Sequence, residues 1–415
     1  MPSSPSQTDQ PVTVTAEDVA AARPAAESVA RRTPLLSSRT ISERAGGIVA
    51  LKAENLQRTG SFKVRGVGAK LAALGEAGCR NGVVGASAGN HAQALAAAAR
   101  ARGVACEVFV PSDAPLAKVE AARGQGATIH VGGGSVDECL AAARERAEEG
   151  GLAFVHPFDD PHIVAGQGSL GLELLEDVPD LAKVVVPVGG GGLCSGVAIA
   201  VKAARPQVEV VGVQVAACAP FPESLRRGEP VAAGSALTIA DGIAVKRPGT
   251  LTLGLLSRWS DEIVVVGEDE TAEAMVVLME RCKLVIEGAG AVGVAALLGG
   301  QVRPAATGTT VAVLSGGNVD PGLLASIARR HETEAGRRLI LLTRVPDRPG
   351  ALAGLLACVA STGANIVDVS HVREGLDLHV RETAVELVIE TRGHQHAESV
   401  VAALEAAGYA TRVLH

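Results

Sequence analysis

Lys63 stands in a stretch whose residue types suit covalent chemistry. The order Gly60-Ser61-Phe62-Lys63-Val64-Arg65-Gly66 follows a strand expected over Ile48 to Ala53. A helix is expected from near Phe62 through Leu71, with Ser61 at its N-cap. A cation in the first turn of a helix is disfavoured, because that end of the helix already carries partial positive charge. With Phe62 beside it and Arg65 nearby, the neutral amine is favoured, and that form condenses with an aldehyde. Alone, the residue would read as a surface lysine with its stem along Phe62. Three other stretches give it company.

Gly189-Gly190-Gly191-Gly192 follows a strand expected to end at Val188 and opens a helix near Leu193. Successive glycines let backbone amides approach an anion, and the helix N-terminus adds partial positive charge. The spacing matches neither a nucleotide P-loop nor a dinucleotide-binding turn, so it predicts a cradle for a single phosphate group. Ser87-Ala88-Gly89-Asn90-His91 repeats the plan after a strand over Gly82 to Gly85. Its amides would suit a carboxylate, and the Asn90 side chain can donate to an aromatic oxygen. His91 itself reads as a helix residue without a chemical role. Ser315-Gly316-Gly317-Asn318 follows a strand over Thr310 to Leu314. Ligands of open α/β sheets sit beyond the carboxyl ends of strands, so the three junctions should meet in one crevice. In Glu287-Gly288-Ala289-Gly290, ahead of a helix over Ala291 to Leu298, the glycines read equally well as close-packing positions. No Ser-His-Asp spacing, zinc-protease pattern or paired carboxylates stand out, and the remaining histidines and carboxylates read as surface residues.

The elements that must hold these turns alternate regularly. Further β-branched strands are expected at Cys106 to Val110, Thr128 to Val131, Val208 to Val215 and Glu262 to Val266, with Ala-rich helices between them. Strands this apolar imply parallel sheets covered on both faces, hence an α/β fold built as two parallel-sheet subdomains. Residues 1–14 read as a disordered tail, 15–327 as the body with a smaller subdomain of about 53–155 inserted, and 328–338 as a charged linker. After it, 339–415 follow a β-α-β-β-α-β order, a small ferredoxin-like α+β domain.

Composition narrows the function. Of 415 residues, 47% are apolar and 2% aromatic, and the net charge is -7. Large cores follow, while stacking platforms and basic faces for nucleic acid do not. The seven scattered cysteines, never spaced as C-x-x-C, fit a reducing compartment and suggest neither a disulfide framework nor a metal site. The start of the chain lacks a signal-like apolar core, and no apolar run approaches the roughly 20 residues needed to cross a bilayer. A cytoplasmic protein is expected.

Gly60-Ser61-Phe62-Lys63, Ser87 to His91, the four glycines and Ser315 to Asn318 together resemble the tryptophan-synthase-β class of pyridoxal-phosphate enzymes, and within it the threonine ammonia-lyases. Glu54 to Gln57, Asp241 to Gly249 and Glu287 to Ala291 match that pattern too, so the resemblance spans about Thr15 to Arg330. The tail, with Asp347 to Leu352 and Asn365-Ile366, is similar to an amino-acid-sensing ACT domain. The resemblance implies pyridoxal 5'-phosphate held by Lys63, with Phe62 near its ring and Asn90 donating to its phenolic oxygen. It implies a phosphate on Gly189, Gly190, Gly191, Gly192 and Leu193, Ser315 at the ring nitrogen, and a substrate carboxylate on Ser87, Ala88, Gly89, Asn90 and His91. A hydroxyl at the ring nitrogen makes a weaker electron sink than a carboxylate would, which suits β-elimination.

The implied reaction converts L-threonine, and L-serine more weakly, to the 2-oxoacid and ammonia. An amino-acid effector is expected at Gly350 and Asn365 between paired ACT modules, hence a dimer or tetramer. Some residues depart from the family pattern. Arg58 replaces a frequent proline. Ala88 replaces the serine that related racemases use, which argues against racemisation. Gln214, Ala216, Cys218 and Pro220 offer no acidic metal cluster. Two alternatives stay open: a serine- or hydroxyaspartate-preferring lyase of the same fold, or a non-catalytic sensor.

Overall fold

The computed structural model describes residues 13–87, 89–112, 114, 116–234, 237–373 and 378–414. Ala88 lies outside the described residues. The strands are β1 Leu35–Ser37, β2 Val49–Lys52, β3 Val83–Ala86, β4 Cys106–Val110, β5 Thr128–Val131, β6 Ala153–Phe154 and β7 Leu181–Pro187. They continue with β8 Glu209–Val215, β9 Glu262–Val266, β10 Thr309–Val313, β11 Arg338–Pro346, β12 Asn365–Val372, β13 Glu382–Glu390 and β14 Thr411–Leu414.

Two compact units result, one ending at Asp320 and the other beginning at Pro321. The first contains two sheets. A six-stranded sheet runs β1-β2-β10-β7-β8-β9, parallel except for the β1–β2 pair. A four-stranded parallel sheet runs β5-β4-β3-β6. As expected of parallel strands covered on both faces, every residue of β2, β3 and β10 is buried. β1 and β6, of three and two residues, carry too short a pattern to be read from sequence.

Helices approach each other closely where glycine meets glycine. A Cβ on Gly196 would lie 2.3 Å from the Val164 carbonyl oxygen, and one on Gly168 would lie 2.9 Å from that of Gly196. The helices Pro161–Asp177 and Gly192–Ala204 therefore touch backbone to backbone. The chain's first described helix, Ala16–Val29, begins with the expected capping box, Thr15 and Asp18 each bonding the other's backbone amide.

The second unit opens with the helix Pro321–Glu334, so the charged stretch 328–338 lies within this unit and is helical in its first part. An antiparallel sheet of order β12-β13-β11-β14 follows, carrying the helices Ala351–Ser361 and His394–Ala406. This is the ferredoxin-like topology. Its core joins Leu341, Val385, Leu387 and Ile389 of the sheet to Leu355, Val359, Val400 and Leu404 of the helices.

Candidate active site

A cavity in the first unit opens at the carboxyl ends of β2, β3, β7 and β10, each drawn out by the turn that follows it. Lys63, Asn90, the glycines 189–192 and Ser315 all line it, so the three expected junctions do meet.

Lys63 begins the helix Lys63–Cys79, but the N-cap is Phe62 rather than Ser61. Ser61 is instead pinned by a backbone bridge to Gly316, while Phe62 donates its amide to the Ser315 carbonyl at 3.1 Å. Extended pairing at Ser61 removes it from the capping position. The Lys63 Nζ donates to the Pro157 carbonyl at 2.9 Å and lies 5.2 Å from the Phe62 ring centroid. Burial pushes its pKa down to about 8, against an opposing pull from Glu287. The neutral amine is thus within reach at physiological pH. Burial is the main cause.

The glycine turn shows why each position must lack a side chain. A Cβ on Gly190 would lie 2.2 Å from Phe158 Cγ, one on Gly191 2.8 Å from Phe221, and one on Gly192 3.0 Å from the Phe158 carbonyl oxygen. Gly191 also takes φ of 92°, the left-handed region where glycine carries no Cβ penalty. The helix Gly192–Ala204 then starts with no side-chain cap among the described residues, so its first amides face the cavity. Thr252 braces the turn by donating its hydroxyl to the Gly190 carbonyl at 2.7 Å, and its own amide donates to Asp159 at 3.1 Å.

Asn90 donates through Nδ2 to Glu287 Oε1 at 2.6 Å and accepts from Asn318 Nδ2 at 2.7 Å. Glu287 corrects the expectation that the remaining carboxylates lie on the surface. It is buried, and burial, reinforced by Asp241, raises its pKa to about 7. Its Oε2 is buried without a hydrogen-bond partner. The glycine run after it had signalled the turn, and those glycines are indeed close-packed: a Cβ on Gly290 would lie 2.6 Å from the Gly316 carbonyl oxygen. Nothing in the local sequence signalled that the carboxylate points inward. Its negative charge holds the Lys63 pKa up, so Glu287→Gln is expected to lower the Lys63 pKa below about 8 in cofactor-free protein. The pH dependence of amine acylation at Lys63 measures this; an unchanged midpoint would show that the two groups are uncoupled.

The remaining site residues divide. Ser315 is buried, its hydroxyl making a long 3.5 Å contact to the Ala289 carbonyl. Ser87 and Gly89 are not among the cavity's lining residues, although the Ser87 hydroxyl accepts from the Gly89 amide at 3.1 Å. His91 turns into the core, where its Nε2 meets the Val155 carbonyl at 3.0 Å and burial lowers its pKa to about 3. It is a neutral packing residue, in line with the reading that gave it no chemical role. Gly350 caps the N-terminus of Ala351–Ser361 and Asn365 follows its C-terminus, at opposite ends of a helix roughly 16 Å long for its 11 residues. Asn365 donates to Glu390 at 2.8 Å. Within one unit these two residues do not meet.

The residues present fit a phosphate-bearing aldehyde. The start of the helix Gly192–Ala204 offers backbone donors to a phosphate, Lys63 offers an amine of lowered pKa to a carbonyl, and Ser315 brings a weakly engaged hydroxyl to the same cavity. Among the described residues no cluster of His, Cys, Asp or Glu is placed to hold a metal ion, and no helix is long and apolar enough to cross a membrane.

Comparison with known proteins gives concordant matches. The family described as pyridoxal-phosphate dependent enzyme matches residues 27–316. A protein named L-threonine ammonia-lyase from Thermotoga maritima is 45% identical over 402 residues, covering 97% of this chain and all of the relative. Another of that name, from Geobacter sulfurreducens, is 44% identical over 384 residues, covering 92% of this chain and 95% of the relative. The structure of maize serine racemase superposes with a TM-score of 0.73 at 32% identity, covering 78% of this chain and 99% of that one.

Proposed function

Because the chain belongs to the pyridoxal-phosphate dependent enzymes, we propose that it is a threonine ammonia-lyase. It converts L-threonine to 2-oxobutanoate and ammonia, and L-serine more slowly to pyruvate. The observation that carries this reading is the Lys63 amine, its pKa lowered to about 8, facing the glycine cradle and Ser315 in one cavity.

When bound, the cofactor supplies a conjugated ring that takes up the electron pair left by a proton lost from the substrate Cα. The chain's own residues do the rest. The amides of Gly189 to Leu193 would hold the phosphate, and Lys63 would hold the cofactor through its amine and serve as the base that takes the Cα proton at Nζ. Ser315 would meet the ring nitrogen through a neutral hydroxyl, which makes a weaker electron sink than a carboxylate would and so suits β-elimination. Asn90, steadied by Glu287 and Asn318, orients the ring through its phenolic oxygen. The turn 87–91 receives the substrate carboxylate on its backbone amides, a role that does not need the His91 side chain. Hydrolysis of the released enamine completes the reaction.

The ferredoxin-like unit acts as an ACT module, with Gly350 of one copy and Asn365 of another framing an amino-acid effector site. Their separation within one unit supports pairing of modules, hence a dimer or tetramer. None of the seven cysteines forms a disulfide among the described residues, which suits the cytoplasm. Steady-state assays with L-threonine, L-serine and 3-hydroxyaspartate test the reading, repeated with isoleucine and valine added. Threonine is expected to give the highest kcat/KM, and a higher value for either other substrate would reassign the specificity.

A further inference from the structure

Two residues beyond Lys63, the same helical turn carries a guanidinium into the interior. Arg65 is 0% exposed, and Glu54 and Glu173 flank it at 0% and 1%. Its fork is occupied on both sides. Nε and Nη2 donate to Glu54 at 2.8 Å each, while Nη1 and Nη2 donate to Glu173 at 2.6 and 3.1 Å. Lys52 joins from β2, with Nζ 2.6 Å from Glu173 and 2.9 Å from the Thr33 carbonyl. Thr33 in turn donates its hydroxyl to Glu54.

Such a cluster is a poor source of stability, because removing several charges from water offsets their mutual attraction. Well-packed apolar residues would hold the fold as well. Its placement is more informative. Glu54 lies on the 3₁₀ turn Glu54–Leu56, which leads from β2 into the loop bearing Lys63. Glu173 lies on Pro161–Asp177, the helix that follows directly on the loop whose Pro157 carbonyl receives the Lys63 amine. The seam between the two helices is tight elsewhere as well. The Gly66 amide donates to Gln167 Oε1 at 3.2 Å, and a Cβ on Gly166 would lie 2.8 Å from the Arg65 carbonyl oxygen.

We propose that Arg65, held between Glu54 and Glu173, is a positioning residue for the Lys63 amine. It fastens the first turn of the Lys63 helix to the two segments that decide where the amine lies. The carboxylates neutralise its charge, so it acts through geometry: a planar fork bound on two sides permits one orientation of the turn. The inference rests on Lys63 as the cofactor-bearing residue.

Two variants test it. Arg65→Lys keeps the charge and loses the fork, whereas Glu54→Asp keeps every charge and shortens one arm. Leu404→Ala, a core truncation in the other unit, serves as a control for destabilisation alone. In cofactor-free protein, acylation of Lys63 by acetic anhydride is followed against pH by peptide mass spectrometry. The midpoint is expected near 8 in the parent and in Leu404→Ala. In both cluster variants it rises by about one unit or more toward the ordinary lysine value, as the amine escapes its dry site. With cofactor restored, kcat for L-threonine falls about 100-fold while KM changes little.

A parental midpoint in folded Arg65→Lys overturns the proposal, whatever the fall in melting temperature. Should Arg65→Lys not fold, Glu54→Asp decides by the same readout. Lys63→Ala separates the two levels of the reading. Parental turnover there defeats the cofactor assignment, whereas a parental midpoint in the cluster variants defeats the clamp alone.

Discussion

Lys63→Ala is expected to lower ammonia release from L-threonine by about 10³- to 10⁴-fold. On the proposed reading, the variant loses both the amine that would anchor the cofactor and the base that would take the Cα proton. Among the described residues, one other amine lies near the turn 87–91 and is already engaged. Lys118 comes close to the substrate turn, since a Cβ on Gly89 would lie 3.8 Å from its Nζ, but that ammonium is paired with Asp241. The reconstituted variant should also lack the visible absorbance of covalently held cofactor.

Stability supplies an independent check with a defined sign. The pKa of Lys63 falls from 10.5 to about 8 on folding, so its protonated form is penalised in the folded state. The penalty is fully present below about pH 8 and vanishes as pH rises to 10.5. Cofactor-free Lys63→Ala should therefore compare best with the parent near neutral pH and lose ground as pH rises through that window. Urea unfolding at several pH values measures the difference, and a difference independent of pH would show that Lys63 is not desolvated.

Gly190→Ala is the second large effect. The added methyl would sit 2.2 to 2.4 Å from three ring carbons of Phe158, so the ring must move. Phe158 adjoins Pro157, whose carbonyl holds the Lys63 amine, and its own carbonyl borders Gly192. One methyl therefore disturbs the glycine turn and the amine together. Overpacking of this kind costs about 1 to 3 kcal/mol. At about 1.4 kcal/mol per tenfold, the dissociation constant of pyridoxal 5'-phosphate rises about 5- to 140-fold. Fluorescence titration of cofactor-free protein reads this directly. Parental affinity would mean that Phe158 yields without moving the cradle. Gly254→Ala, with nothing within 4 Å of the added atom, should leave the affinity as it is.

The amino-acid sequence by itself determined the parts whose cause is local. β7, the four glycines and the helix after them follow from a β-branched run, a stretch without side chains and an apolar helix, so the strand, glycine turn and helix were legible. The same holds for Lys63 at a helix start and for the alternation that implies two parallel sheets. The order of elements in the C-terminal unit was legible too.

Tertiary structure decided everything that depends on which way a side chain turns. Glu287 and Arg65 look like ordinary charged residues along the chain, and only folding buries one beside Asn90 and clasps the other between Glu54 and Glu173. Ser61 gave up its capping role to a bridge with Gly316, a residue 255 positions away by their numbers, and His91 turned to the core instead of the cavity. The physical reason is the range of the forces. Backbone propensity and glycine sterics act over a few residues, whereas desolvation and ion pairing depend on what the rest of the chain brings alongside.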